Sequence, residues 1–279
     1  MIRFVVVLFA VAILTLLLLP LQLLGMACGF RLQRVIPHLY HRAFCALVGV
    51  RIRQVGTRTT DTPVLVLSNH VSWLDICVIG ALNPVVFIAK SEVARWPVFG
   101  WLAKLQRTIF IDRQARHKTG AATQEIGDRL LGGDAVVLFA EGTSSDGTRI
   151  LPFRSALIGA VHHALGKNTR HATITVQPMS LAYVGFDGLP PGRALRERVA
   201  WYGDADLIPH FIGTLASGAI DVTVSFGEAV AYDMTADRKQ IARDAELSVR
   251  RMTTAALRAG PAKTAAPSAD AALPVPGVA

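Results

Sequence analysis

Two side chains in the stretch "SNHVSWLD" (residues 68–75) are placed to do chemistry together. His70 leaves the end of the apolar run "VLVL", and Asp75 follows five residues later, just inside an expected helix. Such a carboxylate can bond one imidazole nitrogen and fix the tautomer, leaving the other nitrogen free to accept a proton. The dipole of a helix starting at residue 72 would further favour a neutral ring. Ser72 and Asp75 also fit a capping box, an explanation with no function in it, but that leaves His70 unaccounted for. No G-x-S-x-G serine, catalytic cysteine or metal-ligand cluster accompanies the pair. A His–carboxylate dyad without its own nucleophile points to a substrate hydroxyl as nucleophile, hence to acyl transfer onto an alcohol.

The elements that must position this dyad read as alternating α/β. Apolar strands are expected at 64–67, 85–89, 108–111, 136–139 and 173–177, with helices at 72–82, 98–105, 117–131 and 154–165 between them. Continuous apolar strands separated by helices predict a mostly parallel sheet flanked by helices. "IDVTVSFG" (220–227) alternates and predicts a half-exposed strand, and 235–258 a closing helix. In such sheets ligands gather at the carboxyl ends of strands. Three of those ends are polar here: Ser68-Asn69-His70, Asp112-Arg113 and Glu141-Gly142-Thr143.

The chain is 279 residues long, 52% hydrophobic, with mean hydropathy +0.41 and net charge +9. The charge calls for an anionic partner, and the first thirty residues choose which. No charged side chain lies between Phe4 and Phe30, enough to cross a hydrocarbon core of about 30 Å. Pro20 also allows a helical hairpin dipping into one leaflet. The stretch is too long for a signal-peptide core and reads as an uncleaved anchor. Arg31, Arg34 and Arg42 follow it against Arg3 before it, which predicts an inner-membrane protein whose bulk faces the cytoplasm. An anionic membrane surface is the expected partner, and nucleic acid is not. The expected organisation is an anchor (1–30), an interfacial helix and connector (31–58), an acyltransferase domain (59–258) and a disordered Ala/Pro-rich tail (259–279).

At this point four blocks in order resemble the glycerolipid acyltransferase family. "NHVSWLD" resembles its N-H-x-x-x-x-D signature, "RTIFIDR" (107–113) its second motif, "LFAEGTSSDG" (138–147) its F-P-E-G-T motif and "TVQPMSLAY" (175–183) its proline-containing fourth. The resemblance spans about residues 60–185. It implies His70 as general base and Asp75 as its orienting partner. Asn69, Arg113, Glu141, Gly142 and Thr143 would hold the acceptor's polar head, and Pro178 would shape the pocket floor. No metal or bound cofactor is implied; the acyl thioester, on CoA or acyl carrier protein, is a co-substrate.

The departures bear on the acceptor. Ala140 replaces the usual Pro, Arg107 a Gly, and Ser144 the Arg that follows "EGT" in many phosphate-binding members. A lost guanidinium weakens a phosphate grip, for which Arg107, Arg149 or Arg154 could compensate. The first expectation is lysophosphatidic acid as acceptor, giving phosphatidic acid; the alternative is lyso-ornithine lipid, since the "QRTIFIDR" and "EGTSSDG" variants resemble those of its acyltransferases in the same family. A catalytically silent lipid-binding protein is the reading from another class, and a lipid hydrolase using water is a further enzyme reading. Adjacent His162 and His163 are expected to do no chemistry.

Overall fold

The computed structural model describes residues 2–111, 119–156, 158–159, 173–233 and 235–261. Asp112, Arg113, His162, His163, most of the expected 154–165 helix and nearly all of the tail lie outside them.

An eight-stranded mixed sheet runs β1-β7-β6-β2-β5-β3-β4, with β8 on the lower half of β6. The strands are β1 (Val50–Val55), β2 (Val64–Ser68), β3 (Val86–Lys90), β4 (Ile109–Ile111), β5 (Ala135–Phe139), β6 (Thr173–Phe186), β7 (Ile220–Phe226) and β8 (Val230–Asp233). The five strands from β6 to β4 are parallel, whereas β7 and β8 pair antiparallel with β6. The longer helices are α1 (Ile2–Ala27), α2 (Leu32–Val48), α3 (Leu74–Leu82), α4 (Phe99–Leu105), α5 (Thr119–Leu131), α6 (Leu207–Ala216) and α7 (Arg238–Ala259).

The parallel strands are apolar throughout because both faces are covered. Val64 and Val66 point into the core under α2 and α3, while Leu65 and Leu67 point into the core shared with α5 and α7. β7 corrects the half-exposed expectation. It lies between β1 and β6, and all but Asp221 of its residues are buried, Thr223 and Ser225 included. β1 replaces part of the expected connector. Val50 and Ile52 point inward, Arg51 and Arg53 outward, as suits an edge strand.

α1 and α2 form an antiparallel hairpin along the domain. Arg3 donates from Nη2 to the Val48 carbonyl (2.6 Å) and from Nε to that of Leu215 (3.3 Å). Thr15 meets the Tyr40 hydroxyl at 3.2 Å, and Gln22 donates to the carbonyls of Gln33 and Leu105. A side chain at Gly25 would come within 2.8 Å of the Gln33 amide, so glycine permits the close crossing. α1 is long and apolar enough to cross a membrane, and of its residues Val7, Val11, Gln22 and Gly25 are buried. α1 runs unbroken through Pro20, so the hairpin expected within residues 4–30 is not formed there; the antiparallel partner is the following helix α2.

Candidate active site

The chain leaves β2 at Ser68 and is caught at once. The Asn69 side chain donates to the Leu181 carbonyl (2.9 Å) and accepts from its amide (2.8 Å), so it continues the pairing with β6 after the backbone has turned away. Asn69 is therefore spent on holding the loop. This places the His70 ring over Phe139 at the end of β5, stacked with centroids 4.0 Å apart.

His70 Nδ1 lies 2.8 Å from Asp75 Oδ2. That oxygen accepts, so Nδ1 carries the hydrogen and Nε2 holds the lone pair. Nε2 has no hydrogen-bond partner among the described residues, and the ring keeps 19% of its side-chain surface open. The same Oδ2 accepts the amides of Val71 (2.7 Å) and Ser72 (3.0 Å). Ser72 Oγ in turn accepts the Leu74 amide at 3.3 Å. The capping box and the dyad are thus one carboxylate serving both.

Sequence reasoning missed what holds the other oxygen. The Tyr183 hydroxyl, on β6, donates to Asp75 Oδ1 at 2.6 Å. Burial, with the Asp75 carboxylate beside it, holds Tyr183 well above the usual phenol range, so it remains a donor. Its place in "LAYV", an unbroken run of buried residues, carries no sign of that role.

Glu141 sits beside the dyad, but both its oxygens face backbone: Oε2 accepts the His70 amide (2.7 Å) and Oε1 the Leu151 amide (2.6 Å). Burial raises its carboxyl to about 7, against the pull of those two bonds. Glu141 acts as a staple between the His70 loop and the 141–154 loop. That loop crosses the dyad, since the Ser145 amide donates to the His70 carbonyl at 2.9 Å. Gly147 (φ +72°) passes so near Val71 that a Cβ would lie 3.0 Å from its methyl group. Gly142 (φ +71°) turns the chain, and Thr143 is exposed on it. Arg154 donates from Nε to the Glu141 carbonyl at 3.1 Å and is otherwise exposed. Asp146 Oδ1 accepts from the amide and hydroxyl of Thr148. Those bonds and nearby Arg149 outweigh burial and hold its carboxyl below the usual range.

Two expected site residues lie elsewhere. Arg107 pairs with Asp134 (2.8 Å), which also meets Arg34 at 3.0 Å. Asp134 precedes β5, whereas His70 follows the carboxyl end of the parallel β2. A five-residue strand separates the two levels by roughly 16 Å, so Arg107 does not reach the dyad. Pro178 is buried in β6 opposite Leu67, and its ring lines a cleft on the α7 side with Gly227, Ser248 and Met252. It is not part of the crevice at His70. Arg113 lies outside the described residues. No group of three His, Cys, Asp or Glu able to hold a metal occurs among the described residues. Cys77, behind Asp75, has its thiol pushed well up by burial and is a core residue.

A neutral imidazole with one nitrogen clamped and the other open can take a proton from a hydroxyl set against it. The family profile described as Acyltransferase matches residues 49–182. The chain is 48% identical to the lyso-ornithine lipid O-acyltransferase of Brucella abortus (strain 2308), over 92% of this chain and 96% of that protein.

The chain belongs to the acyltransferase family.

This acyltransferase is also 41% identical to the lyso-ornithine lipid O-acyltransferase of Rhizobium meliloti (strain 1021), over 94% of this chain and 91% of the relative. Against the 1-acyl-sn-glycerol-3-phosphate acyltransferase of Neisseria gonorrhoeae it is 40% identical, but over 37% of this chain and 42% of that one. The crystal structure of 1-acyl-sn-glycerophosphate acyltransferase from Thermotoga maritima matches the fold with a TM-score of 0.58, at 19% identity and 84% coverage of both chains. The protein is a lysolipid acyltransferase with a membrane-associated N-terminal helix.

Proposed function

We propose that this enzyme moves an acyl chain from a thioester, carried on CoA or acyl carrier protein, to the free hydroxyl of a lyso-ornithine lipid. The observation that carries the acceptor is the likeness along nearly the whole chain to two proteins of that name. Lysophosphatidic acid, the first expectation from the motifs, gives way because its enzymes match in sequence over a minor part of the chain. The loop chemistry agrees. Ser144 stands where a phosphate-gripping guanidinium is expected, and Asp146 sets a negative charge on the same loop. Ornithine acylated on its α-amine keeps an ammonium and a carboxylate. Asp146 suits the first and the exposed Arg154 the second, whereas a phosphomonoester would meet Asp146 with like charge.

In the reaction His70 Nε2 removes the acceptor's hydroxyl proton as the oxygen attacks the thioester carbonyl. The tetrahedral intermediate then expels the thiolate, which recovers the proton from the imidazolium. Asp75 keeps Nδ1 protonated and offsets the charge on the ring. Such base assistance contributes about 10²–10⁴-fold. The α1–α2 hairpin would lie in the cytoplasmic leaflet, with Arg31 and Arg42 near anionic headgroups.

Acyl transfer by the purified, detergent-solubilised protein tests this, with lyso-ornithine lipid and lysophosphatidic acid offered side by side. Ornithine lipid formed by wild type and lost in His70→Ala is the expected result. Phosphatidic acid as the sole product would reverse the acceptor assignment. Free fatty acid alone would make the enzyme a hydrolase.

A further inference from the structure

α6 has no counterpart in the sequence reading, which gave residues 186–219 no element. It is ten residues long and carries no charged side chain. Its two faces differ in what they do. His210, Phe211, Thr214 and Leu215 turn inward, while Ile208, Pro209, Ile212, Gly213 and Ala216 are exposed. An apolar helix that leaves two isoleucines 58% and 40% open calls for a covering partner.

What continues that face is α1. The two helices pack together, and Arg3 of α1 bonds the Leu215 carbonyl at the end of α6. The exposed side of α1 carries Val5, Phe9, Leu16 and Leu17. On the other flank, Phe211 meets Phe99 of α4 edge-on at 5.6 Å, and near it Val98 and Trp101 are also exposed. The inner side of α6 reaches the dyad loop. Trp73 Nε1 donates to His210 Nδ1 at 3.0 Å, and Phe211 packs on the Trp73 ring at 5.2 Å. Burial holds His210 below the ordinary imidazole range, so its ring is neutral and can accept that bond. Trp73 lies between His70 and Asp75 in the chain.

We propose that α6 is a membrane-inserting element, seated in the same leaflet as α1, and that it holds the dyad loop at the bilayer surface. Its occupant is lipid hydrocarbon. The apolar face adjoins the membrane-associated helix, its inner face packs on Trp73 and Phe99, and the polar Asp204 and Asp206 precede it. A short apolar helix of this kind lies with its exposed side about 5–10 Å into the headgroup–acyl boundary. Lysolipid and acyl chain would then reach His70 sideways from the leaflet, past Trp73. The inference rests on the membrane association of α1 and holds whichever head group the acceptor carries.

Nitroxide labels test it on the full-length protein, reconstituted in phosphatidylethanolamine–phosphatidylglycerol vesicles. Single cysteines replace Ile208, Ile212, Asp204 or Leu17 in a Cys28→Ser background; Cys45 and Cys77 are not exposed. Collision with dissolved oxygen and with a water-soluble nickel chelate gives the depth of each label. Labels at Ile208 and Ile212 are expected to match Leu17 in favouring oxygen, at a depth of about 5–10 Å, with Asp204 favouring nickel. If Leu17 is in hydrocarbon while Ile208 and Ile212 meet nickel as freely as Asp204, α6 faces water and the proposal falls alone. Nickel access at Leu17 as well would overturn it together with the anchor. The labels report position without activity, so neither outcome depends on the acceptor.

Discussion

The Tyr183 hydroxyl holds one oxygen of Asp75 at 2.6 Å while the His70 ring holds the other at 2.8 Å. A carboxylate gripped from both sides cannot rotate away from the imidazole. Tyr183→Phe keeps the ring and removes the donor. We expect kcat to fall about tenfold, ~1.4 kcal/mol, with little change in the KM for the acceptor. An unchanged kcat would reduce Tyr183 to a packing role.

Glu141 gives a pH test with the opposite partners. Burial raises it from the ordinary 4.5 to about 7, so the fold binds this proton more tightly than the unfolded chain does. Its contribution to stability is full below pH 4.5 and is lost as pH climbs through 7. Glu141→Gln does not titrate. The stability advantage of wild type over this variant should therefore shrink from roughly pH 5 to roughly pH 8, by up to about 3 kcal/mol. Thermal unfolding in detergent across that range measures it, and a widening gap would contradict the raised value.

Arg107 separates structure from binding. Its pair with the buried Asp134 lies at the amino ends of the strands, away from the dyad. Arg107→Ala should cost about 1–3 kcal/mol of stability, since a buried carboxylate loses a charged donor. The KM for the acceptor should stay as in wild type. A raised KM with full stability would return Arg107 to the acceptor site.

Ser144 tests the acceptor reading. Ser144→Arg supplies a guanidinium on the loop that crosses His70. The ratio of kcat/KM for lysophosphatidic acid over lyso-ornithine lipid should rise by about tenfold or more. Adding Asp146→Asn should raise it further. No change in the ratio would show that head-group choice is made elsewhere.

The dyad was legible because both residues sit in one local segment. Their spacing and the strand before them carry the geometry. Residues that meet across the sheet were not legible. Tyr183 reaches Asp75 from 108 positions away, and nothing in "LAYV" separates a phenol bonding a carboxylate from one filling a core. Glu141 was found by motif and expected at the head group; that both its oxygens take backbone amides is visible only in the folded chain. The parallel strands were found from their unbroken apolar runs. β1 was missed because its alternating arginines resemble a surface connector, although Val50 and Ile52 keep the two-residue period of an edge strand. β7 misled in the other direction, since small polar residues that look solvent-facing also fit beneath a helix.

Arg3 has a bearing on the order in which this protein is made. α1 leaves the ribosome well before Leu215, 212 positions further on, yet Arg3 grips the carbonyl of that residue. The helix therefore cannot dock in full until α6 has been synthesised. Until then its inner side, built for protein, must face lipid or water. Protease protection of nascent chains stalled before and after Leu215 would show the change. An early segment of this enzyme is thus locked in place by a late one.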